Sequence, residues 1–327
     1  MNDIFGLMYP DFKFPKDKKI RLFEAFAGIG TQALALKYLN IPVEHVGISE
    51  VDSNPIKSHE ALHGKIINLG GVGTFKTFPP NIDIMTWSFP CGDVSNYGKQ
   101  GGMNEGTQSN YGYIFLDTIE NMSYEDRPQV MIMENVKALT QTIFEKDYQE
   151  IHRRLEKMGY QSYGKVLSAV DYGVPQTRER IFVVSIKGEY NYNFPIKTPN
   201  DIRIKHLLDN DTEHVYLSDD EVERMRAWKS FQNPLDDAKT KNDKYLQTIT
   251  RRGNMDSNAS NILIKEYGKY RLLTPLECWR FMGIKDEDFY KVQNNGTRDR
   301  ELFEQAGNAI VVDVLMAIFK EMFWKED

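Results

Sequence analysis

The N-terminal part of this sequence predicts an α/β fold built around a mostly parallel sheet. Between Ile20 and about Ile186, short apolar runs alternate with amphipathic segments, a pattern typical of βαβ units. The apolar runs are rich in Ile, Val, Met and Phe, as expected of strands that are buried on both faces. The predicted strands are Ile20–Phe26, Val43–Ser49, Ile82–Ser88, Val130–Met133 and Ile181–Ile186.

Helices with one apolar face are predicted between these strands. They are Thr31–Leu39, Pro55–His63, Ile114–Asn121 and Phe144–Met158. Gly159 directly follows the last helix, and glycine commonly ends helices because it tolerates the left-handed conformation. The alternation of strands and helices predicts a doubly wound sheet with helices on both faces.

The sequence changes character after Lys187, and a second, loop-rich domain is expected there. The chain becomes polar and rich in Asn and Asp, with one helical piece near Ser218–Trp228. Apolar residues return at helical spacing in Ala309–Phe323, and such a stripe needs a partner surface. We expect this last helix to pack back on the first domain.

Composition and length narrow the class of protein. The 327 residues exceed the ~100–200 typical of one domain, and no apolar run approaches the roughly 18 residues that cross a bilayer. We expect a soluble, cytoplasmic protein without a signal peptide or membrane contact. The only two cysteines, Cys91 and Cys278, exclude a disulfide framework and a four-cysteine zinc site.

The net charge of −6 argues against a general electrostatic grip on nucleic acid. Any such surface must therefore be local. Val222–Arg252 contains eight Lys or Arg and four Asp or Glu residues, which leaves a charge of +4. This basic segment is a candidate nucleic-acid surface, although a charge run can equally be an ordinary solvated face.

A glycine-containing turn, Phe26–Gly30, lies between the first predicted strand and helix. Glu50 ends the next strand and can accept hydrogen bonds from ribose hydroxyls. Together they predict a nucleoside cofactor. With Ala33 the motif also matches G-x-G-x-x-A, so a nicotinamide dinucleotide and a purely structural turn remain open on this motif alone.

Cys91 comes just beyond the carboxyl end of a predicted strand, where α/β sheets bind ligands. Its thiolate could be a nucleophile, although a small buried residue is the commoner fate of a single cysteine. The glycine-rich loop from Gly92 to Gly112 predicts a mobile lid. Glu134 ends another strand on the same sheet edge, and Arg178 and Arg180 precede a further strand.

His59 and His63 form an H-E-x-x-H string on a predicted helix. In metalloproteases this spacing places two histidines on one helix face to hold zinc. No third ligand is evident in the sequence, and structural zinc usually takes four ligands. We therefore predict packing or surface histidines and no metal.

Seven motifs, taken in order, resemble those of the DNA cytosine-5 methyltransferase family of prokaryotes and phages. They are FAGIG at 26–30, Glu50, FPC at 89–91, ENV at 134–136, QTRER at 176–180, RLLTPLECWR at 271–280 and QAGNAI at 305–310. The order and spacing match along nearly the whole chain, which disfavours the nicotinamide alternative. The resemblance implies S-adenosylmethionine as cofactor and methyl transfer to carbon 5 of a cytosine flipped out of double-stranded DNA.

The resemblance also implies a domain plan with a Rossmann-like S-adenosylmethionine-dependent methyltransferase fold. Residues 1–188 plus 297–327 would form the cofactor-binding and catalytic domain, and residues 189–296 the smaller, loop-rich target-recognition domain. The C-terminal helix would return to the large domain. A monomer is implied, with a restriction endonuclease as its genomic partner.

Roles for individual residues follow from the same resemblance. Cys91 would attack the base, Glu134 would hold N3 and the exocyclic amine, and Arg178 would bind O2 with Arg180 beside it. The cofactor would be held by Phe26, Gly28, Ile29, Gly30, Glu50, Val51, Pro90, Ile114, Asn308 and Ile310. DNA would be contacted by Ser95, Gly98, Lys99, Gln100, Arg251 and Arg252. Cys278 would be a buried packing residue.

Three positions depart from the family pattern. Gly92 stands where glutamine is usual, Tyr111-Gly112 replaces Arg-Gly, and Gly71–Gly73 lacks an aspartate for the adenine. If these changes abolish cofactor binding, the chain would be a non-catalytic DNA-binding protein with the same fold. An RNA cytosine-5 methyltransferase is the other alternative, and it would be expected to lack a sizeable recognition domain.

Overall fold

The structure, a computed structural model, describes residues 9–15, 17–94, 101–198, 201–209, 216–227, 233–251 and 262–323. The strands in these ranges are β1 Ile20–Ala25, β2 Val43–Ser49, β3 Ile84–Trp87, β4 Val130–Val136, β5 Tyr160–Ser168, β6 Glu179–Lys187, β7 Leu263–Glu266 and β8 Lys269–Leu272. The helices are α1 Thr31–Tyr38, α2 Ser53–His63, α3 Tyr111–Glu120, α4 Glu145–Lys157, α5 Asp219–Arg226, α6 Pro275–Arg280, α7 Asp286–Asn294, α8 Asp299–Asn308 and α9 Val312–Lys320.

The central sheet has six strands in the order β2-β1-β3-β4-β6-β5. Strands β1 to β4 pair in parallel, whereas β6 runs antiparallel to both β4 and β5. This confirms the predicted mostly parallel α/β sheet. Because β6 is reversed, its first residues lie at the same edge as the carboxyl ends of β1 to β4, and this edge carries the predicted site.

Each face of the sheet supports its own apolar core. Ile20 and Leu22 of β1 point to one side, where they join side chains of α1, α6, α8 and α9. Phe23 and Ala25 point to the other side and join side chains of α3 and α4. This alternation is the side-chain period of a strand buried on both faces. The sheet is therefore doubly wound, as predicted.

The C-terminal helix packs against the large sheet, as expected. Helix α9 contacts α1, and its residues Val314, Leu315 and Ile318 are buried in the same core. Within the described ranges, the stretch Asp299–Lys320 is long and apolar enough to cross a membrane, but 67% of its most apolar window is buried inside the fold. Its apolar residues are thus used as core.

Several elements differ from the sequence expectation. Strand β5 was not predicted, because most of its residues are half-buried or exposed and polar residues interrupt its apolar pattern. Helix α8 was likewise missed. Helix α3 begins at Tyr111 instead of Ile114, which shortens the loop that follows Cys91. Gly159 follows α4 with a φ of 88°, which agrees with its predicted role in ending that helix.

The segment before α8 is held to the large sheet by buried charge pairs. Asp288 of α7 accepts hydrogen bonds from Lys37 and Tyr38 of α1, at 2.9 and 2.8 Å. Arg271 is fully buried and forms a bidentate pair with Glu277 of α6, with both distances 2.9 Å. The contacts of Asp288 connect α7 with α1, and the Arg271–Glu277 pair connects the end of β8 with α6. The boundary at 296/297 stays a prediction.

Candidate active site

The turn after β1 leaves open space beside its backbone. Phe26, Gly28 and Gly30 all have positive φ angles, of 56°, 56° and 78°. Glycine adopts such angles freely, whereas phenylalanine rarely does. No atom lies within 4 Å of the position that a Cβ on Gly28 would take. A ligand can therefore approach this backbone closely.

Glu50 is fixed against the same turn. Its Oε2 accepts a hydrogen bond from Gly28 N at 2.9 Å, and its Oε1 accepts from Val51 N and Asp52 N at 2.8 and 3.0 Å. Each carboxylate oxygen has two lone pairs, so Oε2 can still accept from a hydroxyl group. Val51 is 75% exposed and offers an apolar surface next to it. This arrangement suits the ribose and ring of a nucleoside.

The segment that lacks the expected aspartate wraps around two predicted cofactor residues. A Cβ on Gly71 would lie 3.1 Å from Val51 Cγ1, and one on Gly73 would lie 2.9 Å from Ile114 Cγ2. The glycines let the backbone reach both side chains. Next to them is a cavity of about 590 Å³ lined by Gly73, Phe75, Lys76, Thr77, Ile114, Asp117, Thr118 and Asn121.

The other predicted cofactor residues are placed differently from one another. Ile29 and Ile310 are 3% and 7% exposed, and their side chains belong to the core. A contact with the cofactor would therefore involve their backbone atoms. Asn308 is exposed at the end of α8. Pro90 immediately precedes Cys91, and its carbonyl accepts a hydrogen bond from Ser109 Oγ at 2.8 Å.

Cys91 is exposed on a loop whose backbone is fixed on both sides. The carbonyl of Phe89 accepts a hydrogen bond from Asn135 Nδ2 at 3.1 Å, and the carbonyl of Cys91 accepts one from Val94 N at 3.1 Å. Asn135 belongs to the ENV motif, but the motif alone does not predict a separate role for it. Its amide joins the end of β4 to the loop that carries the cysteine.

Glu134 lies at the end of β4 between a hydroxyl and a guanidinium group. Ser88 Oγ donates to Glu134 Oε2, and Arg180 Nε lies 3.2 Å from Glu134 Oε1. Val136 is opposite Arg180 in the β4–β6 ladder, which explains how the reversed strand delivers the arginine. Ser88 was not singled out from the sequence, although its place before FPC is a usable signal.

Arg178 is buried where the sheet edge meets residues 249 and 307–309. It is 4% exposed, and its guanidinium donates to the carbonyls of Ile249, Gly307 and Ala309 at 2.8, 3.0 and 2.9 Å. Burial lowers the pKa of Arg178 to about 9, with the charge of Arg180 acting in the same direction. Its Nε is buried and has no hydrogen-bond partner among the described residues, and Arg180 is the arginine that contacts Glu134. The contact of Arg178 with O2 of the base stays a prediction.

The protein environment keeps the Cys91 thiol protonated at neutral pH. Although the residue is exposed, the surrounding groups remove part of the water from its sulfur. This desolvation, followed by the charge of Glu134, raises the pKa of Cys91, while Arg180 and Arg178 act in the opposite direction. Since the thiolate is the nucleophile, its fraction rises with pH.

The part of the basic segment that the structure describes docks beside Arg178. Gly307 packs so tightly here that a Cβ would lie 2.2 Å from Arg251 N. Arg251 itself is exposed, and its guanidinium lies 3.5 Å from the carboxylate of Glu304. The predicted DNA contacts Ser95, Gly98, Lys99, Gln100 and Arg252 lie outside the described residues.

Sequence comparisons agree with the motif pattern. A family model described as C-5 cytosine-specific DNA methylase matches residues 20–324. The type II methyltransferase M2.ScrFI of Lactococcus lactis subsp. cremoris is 30% identical, over 93% of this chain and 99% of its own length. The type II methyltransferase M.NlaX of Neisseria lactamica is also 30% identical, over 92% of this chain and 96% of its own length.

Structural comparisons find the same fold. The Entamoeba histolytica methyltransferase EhMeth superposes with a TM-score of 0.76 at 17% identity, covering 93% of this chain and 98% of that one. The S. pombe Dnmt2 methyltransferase superposes with a TM-score of 0.73 at 16% identity, covering 92% and 97%. At these identities the likeness establishes the fold alone.

Proposed function

Because the chain belongs to the C-5 cytosine-specific DNA methylase family, and so transfers a methyl group from S-adenosylmethionine to carbon 5 of cytosine in DNA, we propose that Cys91 is its covalent nucleophile. The observation that carries this proposal is the sheet edge itself. An exposed cysteine on the loop after β3, a carboxylate of β4 and a guanidinium of β6 lie close enough there for their charges to act on one another. Nucleophilic catalysis by a cysteine needs neighbouring groups that activate the thiol and hold the substrate against it.

The turn at Phe26–Gly30, Glu50 and Val51 would hold the cofactor. The open backbone at Gly28 and the fixed carboxylate of Glu50 support this assignment. Glu50 would accept from the ribose hydroxyls, and Val51 would contact the adenine ring. When bound, S-adenosylmethionine supplies an electrophilic methyl group.

The protein residues would make the cytosine ring reactive. The Cys91 thiolate adds to C6, and the π electrons that leave C6 make C5 nucleophilic. Glu134 would hold the protonated N3 and the exocyclic amine, while Arg180 would bind O2. After methylation, a base removes the C5 proton and the C6–S bond breaks, which restores the ring and the thiolate. The cytosine must first leave the duplex stack.

Replacing Glu134 by glutamine is expected to have opposite effects on the thiol and on the reaction. Removing the carboxylate charge lowers the pKa of Cys91, so iodoacetamide should alkylate Cys91 faster at neutral pH. Methylation should fall by about 100-fold or more, because a neutral amide cannot stabilise the protonated N3 of the cytosine as the carboxylate does. Alkylation rates from pH 6 to 10 measure the first effect, and single-turnover methylation measures the second.

A parallel change in both rates would contradict this assignment. If glutamine at position 134 left methylation unchanged, the carboxylate would have no part in base binding. If alkylation slowed, Glu134 would not be the group that keeps the thiol protonated. Glu179→Gln is a suitable control, since Glu179 is exposed and pairs with Lys137 at 3.0 Å.

Bisulfite sequencing tests the proposed activity in cells. The chain is expressed in a bacterial host that has no cytosine methylation, with a Cys91→Ser variant alongside. A recurrent methylated context that depends on Cys91 is expected, and it would also reveal the recognition site. Soluble protein that leaves the genome unmethylated would favour the non-catalytic or RNA-directed alternatives and make Gly92 the first position to restore.

The biological setting is part of the proposal. Type II methyltransferases among the relatives support an enzyme encoded beside a restriction endonuclease, whereas orphan methyltransferases of Bacillus phages also match the chain. We expect the enzyme to act in the cytoplasm. We expect a monomer, because one chain supplies the whole catalytic edge. Light scattering gives the mass, and protection of modified DNA from endonucleases that cut the same site tests the restriction role.

A further inference from the structure

A second cluster of chemically active side chains lies beneath the cofactor turn. Glu24 of β1, His45 of β2 and His59 of α2 bring one donor atom each to a region where all three lie within 4.8 Å of one another. The three residues come from separate elements, so their convergence could not be seen from sequence spacing. The expectation that His59 and His63 hold no metal stays a prediction, since the converging donors are those of Glu24, His45 and His59.

The contacts within the cluster place both imidazole nitrogens on one carboxylate oxygen. Glu24 Oε2 lies 2.8 Å from His45 Nε2 and 3.2 Å from His59 Nε2. The contact with His59 is a buried hydrogen bond. His45 Nε2 is buried and has no hydrogen-bond partner in the described part of the chain. Two ring nitrogens thus face one carboxylate oxygen, and one of them is not directed along a hydrogen bond.

Burial of the carboxylate requires a positive charge close by. Glu24 is fully buried, and an unpaired carboxylate in such a place is strongly unfavourable. Its Oε1 accepts a hydrogen bond from Ala33 N at 3.2 Å, which orients the group and leaves Oε2 toward the histidines. Ligating carboxylates are commonly oriented by such a second hydrogen bond.

We propose that Glu24, His45 and His59 bind one divalent transition-metal ion of the zinc class. Two imidazole nitrogens and one carboxylate oxygen form a donor set that favours Zn²⁺, whereas Mg²⁺ and Ca²⁺ favour sites made of oxygen ligands alone. His63 is adjacent, with its ring centroid 4.6 Å from that of His59, but its Nε2 contacts the carbonyl of Ile29 at 3.2 Å. The fourth position is left to water.

The site would brace the turn that holds the cofactor. A Cβ on Gly30 would lie 2.6 Å from His63 Nε2 and 2.8 Å from the His59 ring, so the histidines lie directly against the turn. A bound ion would tie β1, β2 and α2 together at this point. Its role would be structural, and the methyl transfer would not pass through it.

Metal content of the purified chain tests this inference. The chain is made without a histidine tag, stripped with a chelator, loaded with Zn²⁺ and passed through gel filtration before elemental analysis. About one equivalent of zinc is expected for the wild type and for the control His152→Asn, since His152 lies on α4 against Tyr148. The His45→Asn variant is expected to retain none.

Stability and X-ray absorption extend the test to cases where a variant fails to fold. Zn²⁺ should raise the thermal midpoint of the wild type and of His152→Asn, because ligand binding stabilises the folded state. X-ray absorption of the zinc-loaded wild type should count two imidazole ligands. Absence of retained zinc and of a thermal shift, or a spectrum with oxygen ligands alone, would overturn the site and leave a histidine proton as the partner of Glu24.

Discussion

Replacing Cys91 by serine is expected to abolish methylation while DNA binding is retained. A serine hydroxyl is a far weaker nucleophile toward C6 than a thiolate, so single-turnover methylation should fall at least about a thousandfold. The affinity for duplex DNA should change little, because the substitution only replaces one sulfur atom by oxygen. Methyl transfer from labelled cofactor measures the rate, and electrophoretic mobility measures DNA binding.

The second cysteine supplies the matched control for this experiment. Cys278 is fully buried in α6, so Cys278→Ser should cost stability but leave the rate per folded molecule unchanged. DNA carrying 5-fluorocytosine gives a direct view of the adduct, because the C5 fluorine cannot leave as a proton does. A denaturant-resistant complex is expected with Cys91 and not with serine. Equal rates for the wild type and Cys91→Ser would end the covalent mechanism.

The same substitution at Arg178 and Arg180 is expected to give two different defects. Arg178→Met removes the donors to the carbonyls of Ile249, Gly307 and Ala309, and each unsatisfied buried group costs about 1–3 kcal/mol. We therefore expect a loss of roughly 3–5 kcal/mol in the free energy of unfolding. Arg180→Met leaves the buried Glu134 carboxylate without its charged partner, so it should cost about 1–3 kcal/mol and lower the methylation rate by about 100-fold or more.

Urea unfolding and single-turnover methylation of both variants separate the two roles. Arg180→Lys is a useful third variant, since it keeps the charge near Glu134 without the planar guanidinium fork. A stable but inactive Arg178→Met protein would return the base-binding role to Arg178. A fully active Arg180→Met protein would remove Arg180 from the site.

Much of the candidate active site could be predicted, because each part of it is local in sequence. Cys91 and Glu134 each follow a buried strand, and parallel strands in an α/β sheet bring their carboxyl ends to one edge. The glycine turn and Glu50 follow the same rule at β1 and β2. Strand periodicity and strand ends therefore suffice to collect these residues.

The directions in which the side chains of Arg178 and Arg180 point could not be predicted from any local sequence pattern. The sequence placed Arg178 and Arg180 on one face of an extended chain, but Arg178 precedes β6 and turns into the interface with residues 249 and 307–309. Arg180, within β6, lies opposite Val136 and so reaches Glu134. Which arginine contacts Glu134 is decided by the antiparallel register of β6.

By itself, the sequence determined the α/β class, the order of the motifs and the candidate site residues, because these depend on local periodicity and on short patterns. Only the tertiary structure decided which arginine contacts Glu134 and brought Glu24, His45 and His59 together. The physical reason is that buried polar groups must find partners wherever the packing of distant elements places them. Sequence spacing does not encode that packing.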